Sequence, residues 1–329
     1  MKSKIIIIFF GFLWLKNLNA QDPIFTQYFF IPQTINTAFI GIKERPYAGV
    51  IHRTQWPDLQ LRIDTDYLFF NTFLNDSNSS FGLSILNQKE RFSNYSLSQL
   101  NLGYAYRVQI NRDWYLRLAV DAGLGRKAIG FSNFILSDQI DINSEFISPN
   151  STDPLVLRDQ ILYPDFSAGI LFNSASSWFG VAVKHLNKPN IAFSSEGNLP
   201  LNMFYSIHAS HQFLIADFIN PVLFPYNTEM ILSTNYMRQG EFQRLDISST
   251  IQLESSLYFG VTSVSNLTKK NLNKQFLTSL NVFTGMDFEN LSFGISYDFN
   301  TSKIKRTGGI YEIVLTYKFG SERCFGCSN

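Results

Sequence analysis

Along Tyr311-Glu-Ile-Val-Leu-Thr-Tyr-Lys-Phe319 the side chains alternate, with Tyr311, Ile313, Leu315, Tyr317 and Phe319 on one phase and Glu312, Val314, Thr316 and Lys318 on the other. Successive strand residues point to opposite faces, so the segment predicts a strand with one apolar and one wet side. The pattern recurs over residues 100–110, where the even positions are apolar and the odd ones are Asn101, Gly103, Ala105, Arg107 and Gln109. Over residues 291–299 the apolar phase alternates with Ser292, Gly294, Ser296 and Asp298. A coarse reading gives about fourteen strands, near 46–55, 60–70, 80–88, 97–110, 113–123, 161–172, 177–186, 202–214, 221–233, 242–253, 255–264, 276–286, 290–299 and 308–319. Tight connections at 111–113, 173–176, 254–255 and 287–290 alternate with long ones at 125–160, 186–201, 264–275 and 301–307. A soluble sandwich also alternates, yet has no reason to sort its loops by length. The fold expected is all-β: an up-and-down antiparallel transmembrane β-barrel with short periplasmic turns and long outer loops, residues 135–159 being one of the latter.

The N-terminus sharpens this. Lys2 and Lys4 precede an apolar run over residues 5–15, and a polar stretch ends at Ala20, the layout of a cleaved signal peptide over 1–20. Beyond it nothing approaches the roughly 18 uninterrupted apolar residues of a spanning helix, so a membrane-bound mature chain has to be a barrel. The aromatic share of 16%, with 32 Phe, suits a lipid-facing wall with interfacial girdles. Removing the signal takes Lys+Arg from 27 to 24 against 26 Asp+Glu, a near-neutral balance that gives no electrostatic case for nucleic acid. The organisation expected is the signal over 1–20, an N-terminal segment over 21–45 that is either periplasmic or a plug, one barrel over 46–319 and a tail over 320–329.

Catalytic and metal chemistry find little support. Of the four histidines, His52, His185, His208 and His211, the last two are spaced like ligands but point to opposite faces of a strand. No Gly-x-Ser-x-Gly, phosphate loop or His-Glu-x-x-His occurs, so no cofactor, metal or catalytic residue is assigned. Cys324 and Cys327 follow the last strand without a flanking helix, which points to a terminal disulfide or a partner contact rather than a redox centre. Arg107, Arg117, Asp121, Asp298, Glu312 and Lys318 fall on the non-lipid phase, as the wall of a solvated lumen or as a paired network that plugs it.

Five blocks carry a family resemblance. Residues 21–41, Gln-Asp-Pro-Ile-Phe-Thr-Gln-Tyr-Phe-Phe-Ile-Pro-Gln-Thr-Ile-Asn-Thr-Ala-Phe-Ile-Gly, supply Asp22, Pro23, Phe25, Gln27, Tyr28, Pro32, Asn36, Ala38 and Gly41. Arg53-Thr-Gln-Trp contributes Arg53, Gln55 and Trp56, and the middle blocks are Pro164-Asp-Phe-Ser-Ala-Gly169 and Val183-Lys-His-Leu186. The closing block runs from Tyr297 and Asp298 through Ser302 to Gly308, Gly309 and Glu312. Together they resemble the PorP/SprF family of Bacteroidetes outer-membrane proteins. Thr37 stands where the family usually has Pro and Tyr311 where His is common, the mark of a divergent paralogue.

The resemblance implies a non-enzymatic component of the type IX secretion system in the outer membrane, with extracellular loops and periplasmic termini. Its implied partners are an exported substrate protein, such as a large surface adhesin used in gliding, translocon or periplasmic ring components, and outer-membrane lipid. The rival expectations are a passive diffusion channel and, behind it, a barrel hydrolase. One contact is expected from closure itself: the first strand must pair with the last, since an open edge cannot survive in lipid. Counting from the strand ends puts Arg53, Asp298 and Glu312 at one depth, and two acids so close call for a cation. Arg53 is therefore expected to point inward and bridge Glu312, Asp298 or both.

Overall fold

The computed structural model describes residues 22–130, 135–141, 146–149, 151, 159–194, 197–215, 225, 227–254, 256–267, 276–301 and 307–320. The signal segment, Ser302, Cys324 and Cys327 lie outside the described residues. Fourteen strands close into an antiparallel barrel. They are β1 (Tyr47–Gln55), β2 (Ile63–Leu74), β3 (Ser79–Glu90), β4 (Ser96–Gln109), β5 (Tyr115–Ala128), β8 (Gln160–Asn173), β9 (Ser177–Lys184), β10 (Phe204–Leu214), β11 (Glu229–Gln239), β12 (Phe242–Leu253), β13 (Leu257–Asn266), β14 (Leu277–Phe288), β15 (Leu291–Asn300) and β16 (Ile310–Lys318). Two further short strands, β6 (Ile140–Asp141) and β7 (Phe146–Ile147), pair with each other in the connection after β5. No described helix is long and apolar enough to cross a membrane; the crossing is made by strands.

The two phases of each strand separate as the alternation requires. Leu102 on β4 is 63% exposed and Ala105 1%, and on β16 the aromatic and aliphatic phase faces out while Glu312, Val314 and Thr316 are buried. Closure is made by β1 pairing with β16 in a register that sets Arg53 opposite Glu312. That leaves no unpaired sheet edge in lipid.

Two connections depart from the expected sorting. Gly240 and Glu241 make a two-residue turn on the long-loop side, and residues 215–228 form a long connection on the short-turn side. The strand expected at 221–233 is found over Glu229–Gln239, running six residues further than expected, and residues 221–224 and 226 lie outside the described residues. β11 carries mixed residues on its inward phase, such as Ile231, Ser233 and Asn235, and so shows weak alternation.

The core lies inside the barrel and is supplied largely by residues 22–46, which thread the lumen before β1 begins. Phe25, Tyr28, Phe30, Ile31, Ile35, Ala38, Phe39 and Ile40 are all buried there. Phe25, Phe30 and Ile31 pack on Tyr67, Phe69, Tyr258, Phe283 and Val314; Tyr28, Ile35, Phe39 and Ile40 pack on Ala105, Ala119 and Leu171. Each large apolar side chain so buried contributes about 1.5–3 kcal/mol. The segment makes no strand; its local order is two 3-10 turns, Pro32–Thr34 and Thr37–Phe39. It starts near the long-loop end, where Asp22 meets His185 just beyond β9, and leaves at the short-turn rim, where Phe319 N–H donates to the Pro46 carbonyl.

Candidate functional site

The plug is fixed to the wall at several places, among them Tyr47 OH to the Phe30 carbonyl, Lys184 Nζ to the Thr34 carbonyl and Arg107 to Glu44, and three anchors stand out, the most elaborate being the closing seam. Glu312 accepts the backbone N–H of Thr26 on Oε1 at 3.0 Å and that of Gln27 on Oε2 at 3.0 Å. Arg53 Nη1 donates to Glu312 Oε1 at 2.6 Å, and both side chains are buried. Gln27 Nε2 reaches the Glu312 carbonyl at 3.0 Å and Ser296 Oγ at 3.2 Å. One carboxylate thus satisfies one arginine and two plug amides, the arrangement that makes buried charge tolerable. Arg53 Nη2 donates to Gln55 Oε1 at 3.0 Å.

Asp298 lies one layer along and has other partners. The Asn281 amide donates to its Oδ1, and Thr26 Oγ1 donates there at 3.4 Å. The structure therefore brings Arg53 to Glu312 by a hydrogen-bonded ion pair, while Asp298 is tied to the plug through Thr26. On the neighbouring wall Arg244 grips Asp246 with two bonds, at 2.7 and 2.9 Å, beside the buried Tyr28.

The second anchor is mid-plug. Asn36 Nδ2 donates to the Ile170 carbonyl at 3.0 Å and lies 3.1 Å from His208 Nε2, while its Oδ1 accepts Ala38 N–H at 2.9 Å and caps the second 3-10 turn. The amide can only donate, so His208 accepts on Nε2 and donates from Nδ1 to Ser206 Oγ at 2.9 Å; Ser206 in turn donates to Asn235 Oδ1 at 3.0 Å. The slot exists because two facing wall residues are glycines. A Cβ on Gly169 would run into Asn36 Oδ1, and one on Gly180 would lie 2.9 Å from Asn36 Nδ2. Ser206 and His208 make a hydroxyl and imidazole pair, but both are fully buried, so no substrate reaches that hydroxyl. His208 and His211 diverge, the latter on the outer face with Ser177 Oγ at 2.8 Å.

The third anchor closes the long-loop end. His185 sits between Asp22, 2.7 Å from Nε2, and Asp165, 2.8 Å from Nδ1, and Gln239 Oε1 accepts the Asp22 backbone N–H at 2.9 Å. Burial alone would lower the imidazole pKa, but the two carboxylates outweigh it and raise it to about 9. Burial likewise opposes ionisation of Asp22, and His185 overrides it to hold that carboxyl far below the usual range. At neutral pH the site is an imidazolium between two carboxylates.

The remaining motif residues have structural places. Pro32 opens the first 3-10 turn, and Gly41 has φ +73 and abuts Ser80. Pro23 and Phe25 line a cavity between plug and wall. Trp56 N–H donates to the Gly309 carbonyl at 3.0 Å, and Tyr297 OH donates to the Gly308 carbonyl at 3.3 Å, so these residues secure the long-loop end of the β1–β16 seam. Thr26, Asn281, Asp165, Gly169 and Gly180 carry no chemical signal in the sequence, and His185 and His208 stand out there only as histidines weighed for metal binding. Four of them, Asp165, Gly169, His185 and Thr26, do fall inside the recognisable blocks.

Below the plug, at the short-turn end, a cup of about 1110 Å³ is floored by Phe29, Phe30, Phe39 and Trp178 and walled by Ser, Asn and Gln side chains together with charged ones of both signs, such as Lys43, Glu229, Asp287 and Lys318. Among the described residues no cluster of three or more His, Cys, Asp or Glu is arranged to hold a metal.

Residues 17–317 match the family described as "Type IX secretion system membrane protein PorP/SprF". No curated protein matches significantly. Solved structures with similarity include the Acinetobacter baumannii outer membrane protein Omp33, at 5% identity over 84% of this chain and 98% of that one with a TM-score of 0.45. The P. putida toluene transporter TodX gives 7% identity, 87% and 93% coverage and a TM-score of 0.49. A Pseudomonas aeruginosa FadL homologue gives 12%, 86% and 92%, and 0.39.

Proposed function

The chain belongs to the PorP/SprF family of type IX secretion system membrane proteins, and from that premise we propose that this outer-membrane barrel is a non-enzymatic scaffold that recognises, delivers or anchors an exported surface protein. The observation that carries the reading is the plugged lumen: residues 22–46 fill the barrel and are bonded to its wall through Glu312, Asn36 and Asp22. A barrel so filled offers surfaces rather than a solute path, and its useful surfaces are the long loops on one side and the aromatic-floored cup on the other. With the long loops outward, the exported partner, an adhesin of the gliding type, meets residues 135–159 and their neighbours. The cup and the tail bearing Cys324 and Cys327 then face the translocon or periplasmic ring components.

The plug speaks against the passive diffusion channel, and the sealing of Ser206 and His208 speaks against the hydrolase. Affinity purification of the tagged barrel from its native membrane tests the proposal. Recovery of a large exported surface protein, lost when the 135–159 loop is shortened, is the expected result; a barrel recovered alone, with exported proteins still reaching the surface in its absence, overturns it.

A further inference from the structure

The lipid-facing wall carries a trough along β1, and the register of the closing strands makes it. Across one level of the wall the outward residues run Leu83, Phe70, Ala48, Tyr317 and Leu291, on β3, β2, β1, β16 and β15. Four large side chains thus flank one methyl group. At the next level Val50 lies between Leu68 and Leu315. The result is an apolar hollow of about 410 Å³ floored by Ala48, Gly49 and Val50. An acyl chain lying in it is touched from three sides, where a convex wall touches it from one.

The two ends of the trough differ. Towards the short turns Phe70 and Phe319 meet across the start of β1, ring centroids 6.2 Å apart, and Tyr317 stands 4.9 Å from Phe319. That end is blocked. Towards the long loops the next outward pair after Val50 and Leu68 is His52 and Asp66, opposite one another on β1 and β2. His52 Nδ1 lies 2.7 Å from Asp66 Oδ1, and its Nε2 lies 3.1 Å from Thr54 Oγ1, which donates to Asp64 at 2.8 Å. The ring is fixed at both nitrogens, and it holds Asp66 by one oxygen. The two side chains are 46% and 43% exposed, on a phase that still reads Ile313 and Tyr311 on the facing strand. A carboxylate so placed beside lipid calls for a donor from whatever lies over the trough.

We propose that the trough binds one acyl chain of a lipid from the leaflet on the long-loop side, a chain carrying a hydroxyl or amide donor near its head, with Asp66 accepting from that donor and His52 positioning Asp66. The blocked end sets the leaflet, since a chain enters only from the Val50 side. Asp66 sets the class. A plain ester-linked chain offers only acceptors where it meets its head, whereas a hydroxyacyl or amide-linked chain, as in lipid A, offers a donor. The inference concerns the outer wall alone and stands apart from the secretion role.

The test uses the full mature chain folded in a mild detergent and titrated with lipid A or with phosphatidylethanolamine, bound lipid being counted by native mass spectrometry. Wild type should hold one lipid A, and phosphatidylethanolamine about tenfold more weakly. Ala48→Phe, which fills the trough, should weaken lipid A about tenfold, whereas Val120→Phe, on the exposed face of β5 away from the seam, should leave it unchanged. Asp66→Leu should keep the chain but bring the two lipids to equal affinity. Heat-dependent gel mobility checks that each variant is folded. Wild type without bound lipid A, wild type with equal affinity for both lipids, or a folded Ala48→Phe barrel that binds as wild type does overturns the proposal. So does a dimer that Ala48→Phe dissociates, which gives the trough to a second copy. Should Ala48→Phe not fold, Asp66→Leu decides, and unchanged selectivity in that variant overturns the proposal.

Discussion

Glu312 and Arg53 form one ion pair, but the structure gives them unequal duties, and their replacement should show it. In Arg53→Met, Glu312 keeps the two amides of Thr26 and Gln27, so its charge remains partly compensated. In Glu312→Leu, Arg53 keeps Gln55 as its hydrogen-bond partner and only the longer-range attraction of Asp298 and Asp246, and both plug amides lose their acceptor. Breaking a buried pair costs about 3–5 kcal/mol, and each stranded amide adds about 1–3 kcal/mol. Arg53→Met should therefore fall near the lower end, about 3 kcal/mol, and Glu312→Leu at about 5 kcal/mol or more. The double variant should cost less than the sum of the singles, with a coupling of about 1–3 kcal/mol. Urea unfolding in detergent micelles, read by gel mobility and tryptophan fluorescence, measures all three. Protease sensitivity of residues 22–46 reports the plug separately and should rise in Glu312→Leu more than in Arg53→Met. Equal costs for the two single variants, or a coupling indistinguishable from zero, would refute the assignment of Glu312 as the joint between seam and plug.

Three other outcomes are expected. Gly169→Ala places a methyl group against Asn36 and should loosen the plug at a cost of about 1–3 kcal/mol, seen as faster proteolysis of residues 22–46 without loss of the barrel; unchanged proteolysis contradicts the slot. The His185 pKa is raised on folding, so its contribution should be full below about pH 6.5 and vanish as pH rises through about 9. His185→Gln should remove that slope from a stability-versus-pH series, and a wild type as stable at pH 9.5 as at pH 6 counts against the imidazolium. An epitope inserted within 135–159 should be reached by antibody on intact cells and one at 111–113 should not, the reverse pattern inverting the barrel in its membrane.

The period-2 alternation by itself determined which residues face lipid, because inside-or-outside in a strand is set by the parity of each residue along its own strand. It also carried the closing contact. Once the first strand must pair with the last, Arg53 and the acids near the end of the chain are brought together by counting. The displacement of β11 shows the limit of that reasoning, since an inward face that meets a plug rather than water need not be uniformly polar. Residues 22–46 mark the larger limit. Their order has no periodicity to read, because it is imposed by a wall built from residues far along the chain: Glu312 for Thr26 and Gln27, Gly169, Gly180 and His208 for Asn36, His185 and Asp165 for Asp22. Whether that segment would be a periplasmic extension or a plug was decided only when closure of the strands created a lumen whose buried donors and acceptors it alone could satisfy.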